Sequence, residues 1–552
     1  MNWLHLLFLL VILSSCGGDS SNLEKNMGPV DVGEVSNSAD RDKFGDLIVE
    51  GSIGDASNLI PILASDSVSH SIASLVYNGL LKYNKNLELV GDLAEKWEIA
   101  SDESGGSIIT FYLRKNVRWH DGKLFTADDV VFTYNVIVDD KTPTAYDGDF
   151  LQIDHIDKID DYTVKVYYEK PYAPALSSWT MYMLPKHLLD DIEITSSNLQ
   201  RSPIGTGAFK FKEWKNGESI NLSFNSKYFE GRPLLNGYIY RIIPDSTTMF
   251  LELLSEKIDF MSMSPIQFSK QTDNPRFRKQ FSKYTYLSNN YTYIAYNTKN
   301  PLFSDKRVRQ ALTYATPKDE IIKGVLFGLG TKATGPYKPD TLWHNKEVKT
   351  YPYDLAKAKE LLRQAGFVDE DGNGILEKGK KEFKFTIITN QGNSTRAKVA
   401  EILQERWGQL GIKVEIRVLE WATFLNEYID KRNFDAVLLA WSIPLEPDLF
   451  DVWHSSKCEG KNLNFICYQN SDVDHLIEKG RSTLDEKIRK DTYFKIQEIL
   501  AEDQPYTFLY VPMSLVGLNK RFEGVEPAPA GIMHNIIKWH VKEDNQKYHF
   551  IP

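Results

Sequence analysis

Three stretches of the sequence predict a mixed α/β fold with several hydrophobic cores. Residues 383–389 alternate apolar and polar, residues 396–410 carry apolar positions at helical spacing closed by Gly411, and Ile412, Val414, Ile416 and Val418 alternate again. A strand period, a helix period and a strand period in succession describe a β-α-β unit. Residues 434–441 (FDAVLLAW) form an unbroken apolar run, which suits a strand covered on both faces. Residues 111–117 alternate up to the turn tripeptide His120-Asp121-Gly122, and a helix pattern with Val130, Val131, Tyr134 and Ile137 opens at Thr126-Ala127-Asp128-Asp129. There a threonine oxygen takes an orphan amide and the acids meet the positive helix end. At 552 residues and 42% hydrophobic content, the chain has length for roughly three or four domain-sized units.

Strand, turn and capped helix occur in many folds, but the residue string says more. Arg114-Lys115, Trp119-His120-Asp121-Gly122, Phe125-Thr126-Ala127-Asp128-Asp129-Val130 and Phe132 closely resemble the most recognisable segment of the family 5 extracellular solute-binding proteins. These are the peptide-, oligopeptide- and nickel-binding receptors of ABC importers. Further resemblance runs through Val76-Tyr77-Asn78-Gly79-Leu80-Leu81, 91–97, 202–209, Arg307-Val308-Arg309-Gln310-Ala311 and Asp354-Leu355-Ala356-Lys357-Ala358. It implies a two-lobed periplasmic-binding-protein-like fold (type II, cluster C) with an extra inserted subdomain. On that reading lobe I combines 44–67, 199–288 and 508–552, the insertion is 68–198, and lobe II is 289–507. The resemblance treats the Trp119 segment as scaffold.

The N-terminus carries its own signal. The apolar run 6–13 is too short to span a bilayer and ends at Leu13-Ser14-Ser15-Cys16-Gly17. This resembles a lipoprotein signal peptide over 1–15, with Cys16 as the lipidated first mature residue, although no Lys or Arg precedes the run. Residues 16–43 are rich in small and polar types and read as a flexible tether. The expectation is a monomer held by lipid at the periplasmic or outer face of a bacterial membrane, with ABC permease subunits as partners. A net charge of −10, with no basic block carrying interleaved aromatics, argues against nucleic acid.

No His-Glu-x-x-His, Gly-x-Ser-x-Gly, Walker loop or Cys-x-x-Cys occurs, and no cofactor is implied. The glycines of Ser202-Pro203-Ile204-Gly205-Thr206-Gly207 fit neither a P-loop nor a dinucleotide turn. A secreted glycoside hydrolase stays as an alternative, since its carboxylates need not be close in sequence. Other cargoes of the same fold (nickel chelate, haem, oligosaccharide) stay as well. Ligands of open α/β sheets sit beyond strand carboxyl ends, so the candidate contacts are Trp441, Ser442, Glu446 and Asp448. Tyr293 and Asn297 join them from the aromatic strand 291–297, read as the crossover between lobes. The resemblance implies an aspartate three residues after the tryptophan that holds the ligand's amino group, but here Pro444 stands there. Glu446 is then either a substitute clamp or a solvated loop charge. Cys458 and Cys467 are read as a disulfide ahead of two free thiols, since an exported chain meets oxidising conditions. Asp369, Asp371 and Asn373 fit the first positions of a calcium loop, but Lys380 stands where the bidentate glutamate belongs, and an Asx-rich turn is preferred.

Overall fold

The computed structural model describes residues 43–101 and 106–548, so the leader, Cys16 and the tether to residue 42 lie outside the described residues. A twelve-stranded mixed sheet runs through the molecule. On one side of strand Tyr506–Asn519 lie Asn290–Tyr296, Ala436–Ser442, Lys384–Asn390 and Lys413–Leu419. On the other lie Phe260–Ser262, Leu47–Ser52, Gly237–Ile242, Ser219–Phe224 and Phe209–Lys215. Each half has its own buried clusters, around Leu438 and Trp407 in one and Ile48 and Leu253 in the other. The result is two lobes.

The predicted β-α-β unit lies in the second lobe. Strands Lys384–Asn390 and Lys413–Leu419 pair in parallel with Phe385 opposite Val414, and helix Ser394–Gly408 joins them. Asn393 starts that helix by accepting the Arg396 amide (2.9 Å), satisfying an orphan donor. Val399, Ala400, Leu403 and Trp407 are its buried stripe, each large side chain contributing about 1.5–3 kcal/mol. Gly411, with φ of 83°, turns the chain where a side chain would be strained. Strand Ala436–Ser442 lies between Lys384–Asn390 and Asn290–Tyr296, and its first residues are fully covered, as the apolar run requires.

The chain crosses between lobes where strand Phe281–Leu287 gives way to Asn290–Tyr296, and it returns along Tyr506–Asn519. Both crossing strands run antiparallel against that last strand. Ser288 donates its amide (3.1 Å) and its hydroxyl (2.8 Å) to the Pro512 carbonyl. Proline has no amide to give a neighbouring strand, so the ladder thins at this point. The return strand spans both lobes, its second half pairing with Phe281–Leu287.

The inserted unit is a four-stranded antiparallel sheet, Ala94–Ser101, Ser107–Leu113, Thr163–Tyr168 and His155–Asp160, under helix Ala127–Val138. Asp129, 4% exposed, holds the Thr126 amide (2.9 Å), the Trp119 indole (3.3 Å) and the Lys186 amide (3.1 Å). The capping box forms as the sequence predicts. Helix Ser67–Val76 moves to a different unit from the one expected: Ile72, Leu75 and Val76 pack with Ile48 and Phe209 of lobe I, so the insertion begins after Tyr77. Helix Lys306–Tyr314 is capped by Asp305, which accepts the Arg307 amide (2.9 Å). The Ser304 hydroxyl is engaged by the Pro301 carbonyl.

The turn 202–209 ties insertion to lobe. The His120 amide donates to the Gly205 carbonyl (2.8 Å), the Gly205 amide donates to His120 Nδ1 (3.3 Å), and Nε2 meets the Gly207 carbonyl (3.0 Å); burial holds the His120 pKa down at about 4. A Cβ on Gly205 would lie 1.9 Å from the Val76 carbonyl oxygen, so this glycine serves close backbone approach. Gly205→Ala is expected to cost about 2–4 kcal/mol in urea unfolding. Gly408→Ala, in open helical space, should gain up to about 1 kcal/mol, and equal effects of the two would contradict this assignment.

Candidate functional site

Between the lobes and the insertion lies a cleft of about 1310 Å³. Its walls begin where parallel strands end. Strand Leu47–Ser52 delivers Glu50 and Ser52, strand Lys384–Asn390 delivers Asn390 and the helix start with Arg396, and strand Ala436–Ser442 delivers Trp441 and the loop to Asp448. This is the carboxyl-edge position expected of open α/β sheets. The insertion supplies Tyr83, Tyr146 and Asp149, and the crossing strands supply Tyr291 and Pro512 as a floor.

A family model, bacterial extracellular solute-binding proteins, family 5 (middle region), matches residues 88–462. The chain belongs to family 5 of the bacterial extracellular solute-binding proteins. The oligopeptide-binding protein AppA of Bacillus subtilis (strain 168) is 35% identical over 550 residues, 97% of each chain. Its structure in complex with a nonapeptide superposes with a TM-score of 0.85 at 34% identity, covering 90% of this chain and 99% of that one. DppA of Helicobacter pylori in complex with the peptide STSA gives a TM-score of 0.81 at 26% identity over 92% and 100%. Heme-binding protein A of Haemophilus influenzae is 28% identical over 85% of this chain and 88% of its own. The two-lobed fold is thus that of a solute-binding family, not of an enzyme family.

Within this family 5 cleft the acids are mostly matched. Glu446 is paired with Arg489; burial raises its pKa and Arg489 opposes that. Asp448 meets Arg481 at 3.1 Å, and the same guanidinium reaches Asp149 of the insertion at 2.7 Å. The Lys457 ammonium, on a side chain only 6% exposed, pairs with Asp147 and lies 3.7 Å from Asp451. Burial raises the Asp451 pKa, and the Asp149 charge adds to that. Lys457 adjoins Cys458, which forms a disulfide with Cys467. The bond therefore pins the turn that carries a cation across to the insertion.

Trp441, Ser442, Glu446 and Asp448 line the cleft together, as does Pro444. Trp441 is held by its indole on the Tyr506 hydroxyl (3.1 Å). Tyr293 and Asn297 require correction. Tyr293 is fully buried and stacked on Tyr506 (4.3 Å between centroids), while the Asn297 amide bonds the Phe434 carbonyl (3.0 Å). The cleft is met instead by the first residues of that strand, Asn290, Tyr291 and Thr292, and Tyr293 lies one position farther in. Away from the cleft, the carboxylates of Asp369, Asp371 and Glu377 lie within 4.8 Å of one another. Asp369 takes the amides of Gly372 (2.8 Å) and Gly374 (3.0 Å), and Asp371 that of Asn373 (3.0 Å). That is the bonding of an Asx-rich turn.

Sequence reasoning missed Arg396. It donates to Asn390 Oδ1 (2.7 Å), lines the cleft, and pairs with no carboxylate among the described residues. Burial lowers its pKa, as expected of a cation removed from water without a counter-charge. One signal was readable: a cation in the first turn of a helix opposes the macrodipole. Replacing Arg489 with Met should strand the Glu446 charge and lower stability by about 3 kcal/mol in urea unfolding. Adding Glu446→Gln should restore part of that loss, and a wild-type midpoint for the single variant would refute the pair.

Proposed function

We propose that this chain is the lipid-anchored substrate receptor of an ABC importer, and that it captures peptides by closing its lobes on them. The observation that carries the reading is Arg396, an unmatched cation inside an inter-lobe cavity. A half-buried guanidinium lacking an acid calls for an anion from the ligand, and every peptide has one in its terminal carboxylate, which a guanidinium binds with two parallel hydrogen bonds. The cleft of about 1310 Å³ exceeds the roughly 300–1,000 Å³ typical of sites for drug-sized molecules, leaving room for several residues. Trp441, half-buried at the cleft, offers an aromatic face for side chains. The relatives support the same cargo, AppA being named for oligopeptides and solved with a nonapeptide.

A nickel or haem cargo, as the haem-binding relative invites, is less well served. His70, which lines the cleft, has its Nε2 between the Ala64 carbonyl (2.9 Å) and the Tyr146 hydroxyl (3.0 Å). Calorimetry with peptides of two to nine residues tests the reading. Arg396→Gln should weaken free-acid peptides by roughly 10- to 100-fold, the worth of a charge-assisted bond, and leave C-terminal amides unchanged. An equal loss for acids and amides would remove Arg396 as the anchor, and no binding of any peptide would overturn the function.

Anchoring is the second part of the proposal. Cys16 after an apolar run with small residues supports diacylation, since stable attachment needs more than one chain. No helix among the described residues is long and apolar enough to cross a membrane. Cys16→Ala should move the protein from the membrane fraction to the soluble one. Continued membrane association of that variant would contradict the anchor.

A further inference from the structure

On the lobe I wall of the cleft, Glu50 has no counter-charge. It sits in strand Leu47–Ser52, opposite Tyr240 of strand Gly237–Ile242, and lines the cavity. Its Oε2 accepts the Tyr238 hydroxyl, and that is the one hydrogen bond the side chain makes among the described residues. Oε1 has no hydrogen-bond partner among the described residues and is not fully sealed, on a residue that lines the cleft. No Lys or Arg pairs with Glu50 among the described residues. The titratable groups around it are Tyr238 and Tyr240 on the neighbouring strand, with Asp66 on the far side of Tyr240. They supply hydroxyls and more negative charge. Glu446, Asp448, Asp149, Asp147 and Asp451 each have a basic partner within 4 Å, and Asp66 is instead satisfied by the Ser57 and Ser69 hydroxyls and the Ser69 amide.

We propose that Glu50 is a specificity-determining residue that receives a cationic nitrogen of the peptide. The proposal rests on the peptide-binding reading above. A carboxylate removed from water without a partner is costly, and a ligand ammonium or guanidinium placed at Oε1 relieves that cost only for cationic ligands. Such an acid selects by charge, because a neutral side chain of the same shape leaves the carboxyl as it was. The charges across the cleft are then complementary: Arg396 on lobe II takes the peptide's anion and Glu50 on lobe I a cation, so a bound peptide ties one lobe to the other.

Two sources of the nitrogen share this chemistry, the peptide amino terminus and a Lys or Arg side chain. Burial also raises the Glu50 pKa to about 7. A ligand cation pulls it back down, so binding near pH 7 releases part of a proton, and affinity for the cationic ligand rises with pH until the free-state carboxyl is fully ionised.

The test uses the mature chain and alanine nonapeptides in which lysine, or its uncharged isostere norleucine, is moved through each position, with free or acetylated amino termini. In calorimetry, wild type should prefer one lysine position, or the free over the acetylated terminus, by 10-fold or more. Glu50→Gln should abolish that preference and leave norleucine peptides bound as before, which also shows that the variant is folded. The preferred position names the source. In wild type alone, the enthalpy at pH 7 should vary with the buffer's ionisation enthalpy for the cationic ligand and not for the neutral one, whatever the variant's folding. A preference of the same size in Glu50→Gln, or no preference and no proton release in wild type, would overturn the proposal while leaving the peptide reading intact. Failure of all peptides to bind would overturn both.

Discussion

Everything in this structure depends on how few covalent and hydrogen-bonded links join its lobes. The twelve-stranded sheet is continuous, yet among the described residues the chain passes between lobes only near Ser288 and near Pro512, two segments bonded to each other through the Pro512 carbonyl. A backbone without an amide at this point leaves a thinner ladder than either lobe has inside itself. Rotation about two short segments costs little packing, whereas each lobe keeps its own buried core. That contrast is what hinge closure around a ligand needs. It also explains why Tyr291 and Pro512 form the floor of the cleft: the hinge and the binding site are built from the same residues.

The insertion adds a second line of contact with lobe II, and there charge takes the place of apolar packing. Arg481 reaches Asp149, the Gly148 carbonyl (2.9 Å) and the Tyr172 hydroxyl (2.5 Å), while Lys457 reaches Asp147. Phe450 comes so close to Gly148 that a Cβ there would lie 2.8 Å from its ring. Ion pairs with a wet side can separate without exposing a large apolar surface, and buried ones are weak sources of net stability but strict about geometry. Contacts of this kind suit a surface that must meet in register and part again. The disulfide Cys458–Cys467 fixes the turn bearing Lys457, and so serves this contact as well as local stability.

Much of the fold was legible because its signals are local. The capping box at Thr126 and Asp129, the stop at Gly411 and the apolar run ending at Trp441 each follow from a few neighbouring residues, and each is present. Helix Ser67–Val76 was given to the insertion because sequence continuity does not show which core a helix packs into. The site was legible only in part. Trp441, Ser442, Glu446 and Asp448 follow from the strand-end rule, and Tyr293 fails because it lies one position inside the cleft-lining strand end, where its ring is stacked on Tyr506. The pairing that neutralises Glu446 and Asp448 was invisible, since Arg481 and Arg489 lie on helices far along the chain. Lys457 and Asp147 are 310 positions apart, and no spacing pattern announces such a contact. Arg396 and Glu50 are informative for what they lack, and an absent partner can be read only in three dimensions.

The central claim is that the cleft is built for a peptide, and the most direct measurement is of what the native protein carries. The chain would be purified from its own host without denaturation, weighed intact by native mass spectrometry, and then unfolded so that the released small molecules are sequenced by fragmentation. The account predicts a population of short peptides bound one per protein. A single non-peptide species at full occupancy, such as haem, a nickel chelate or an oligosaccharide, with peptides unable to displace it, would contradict it.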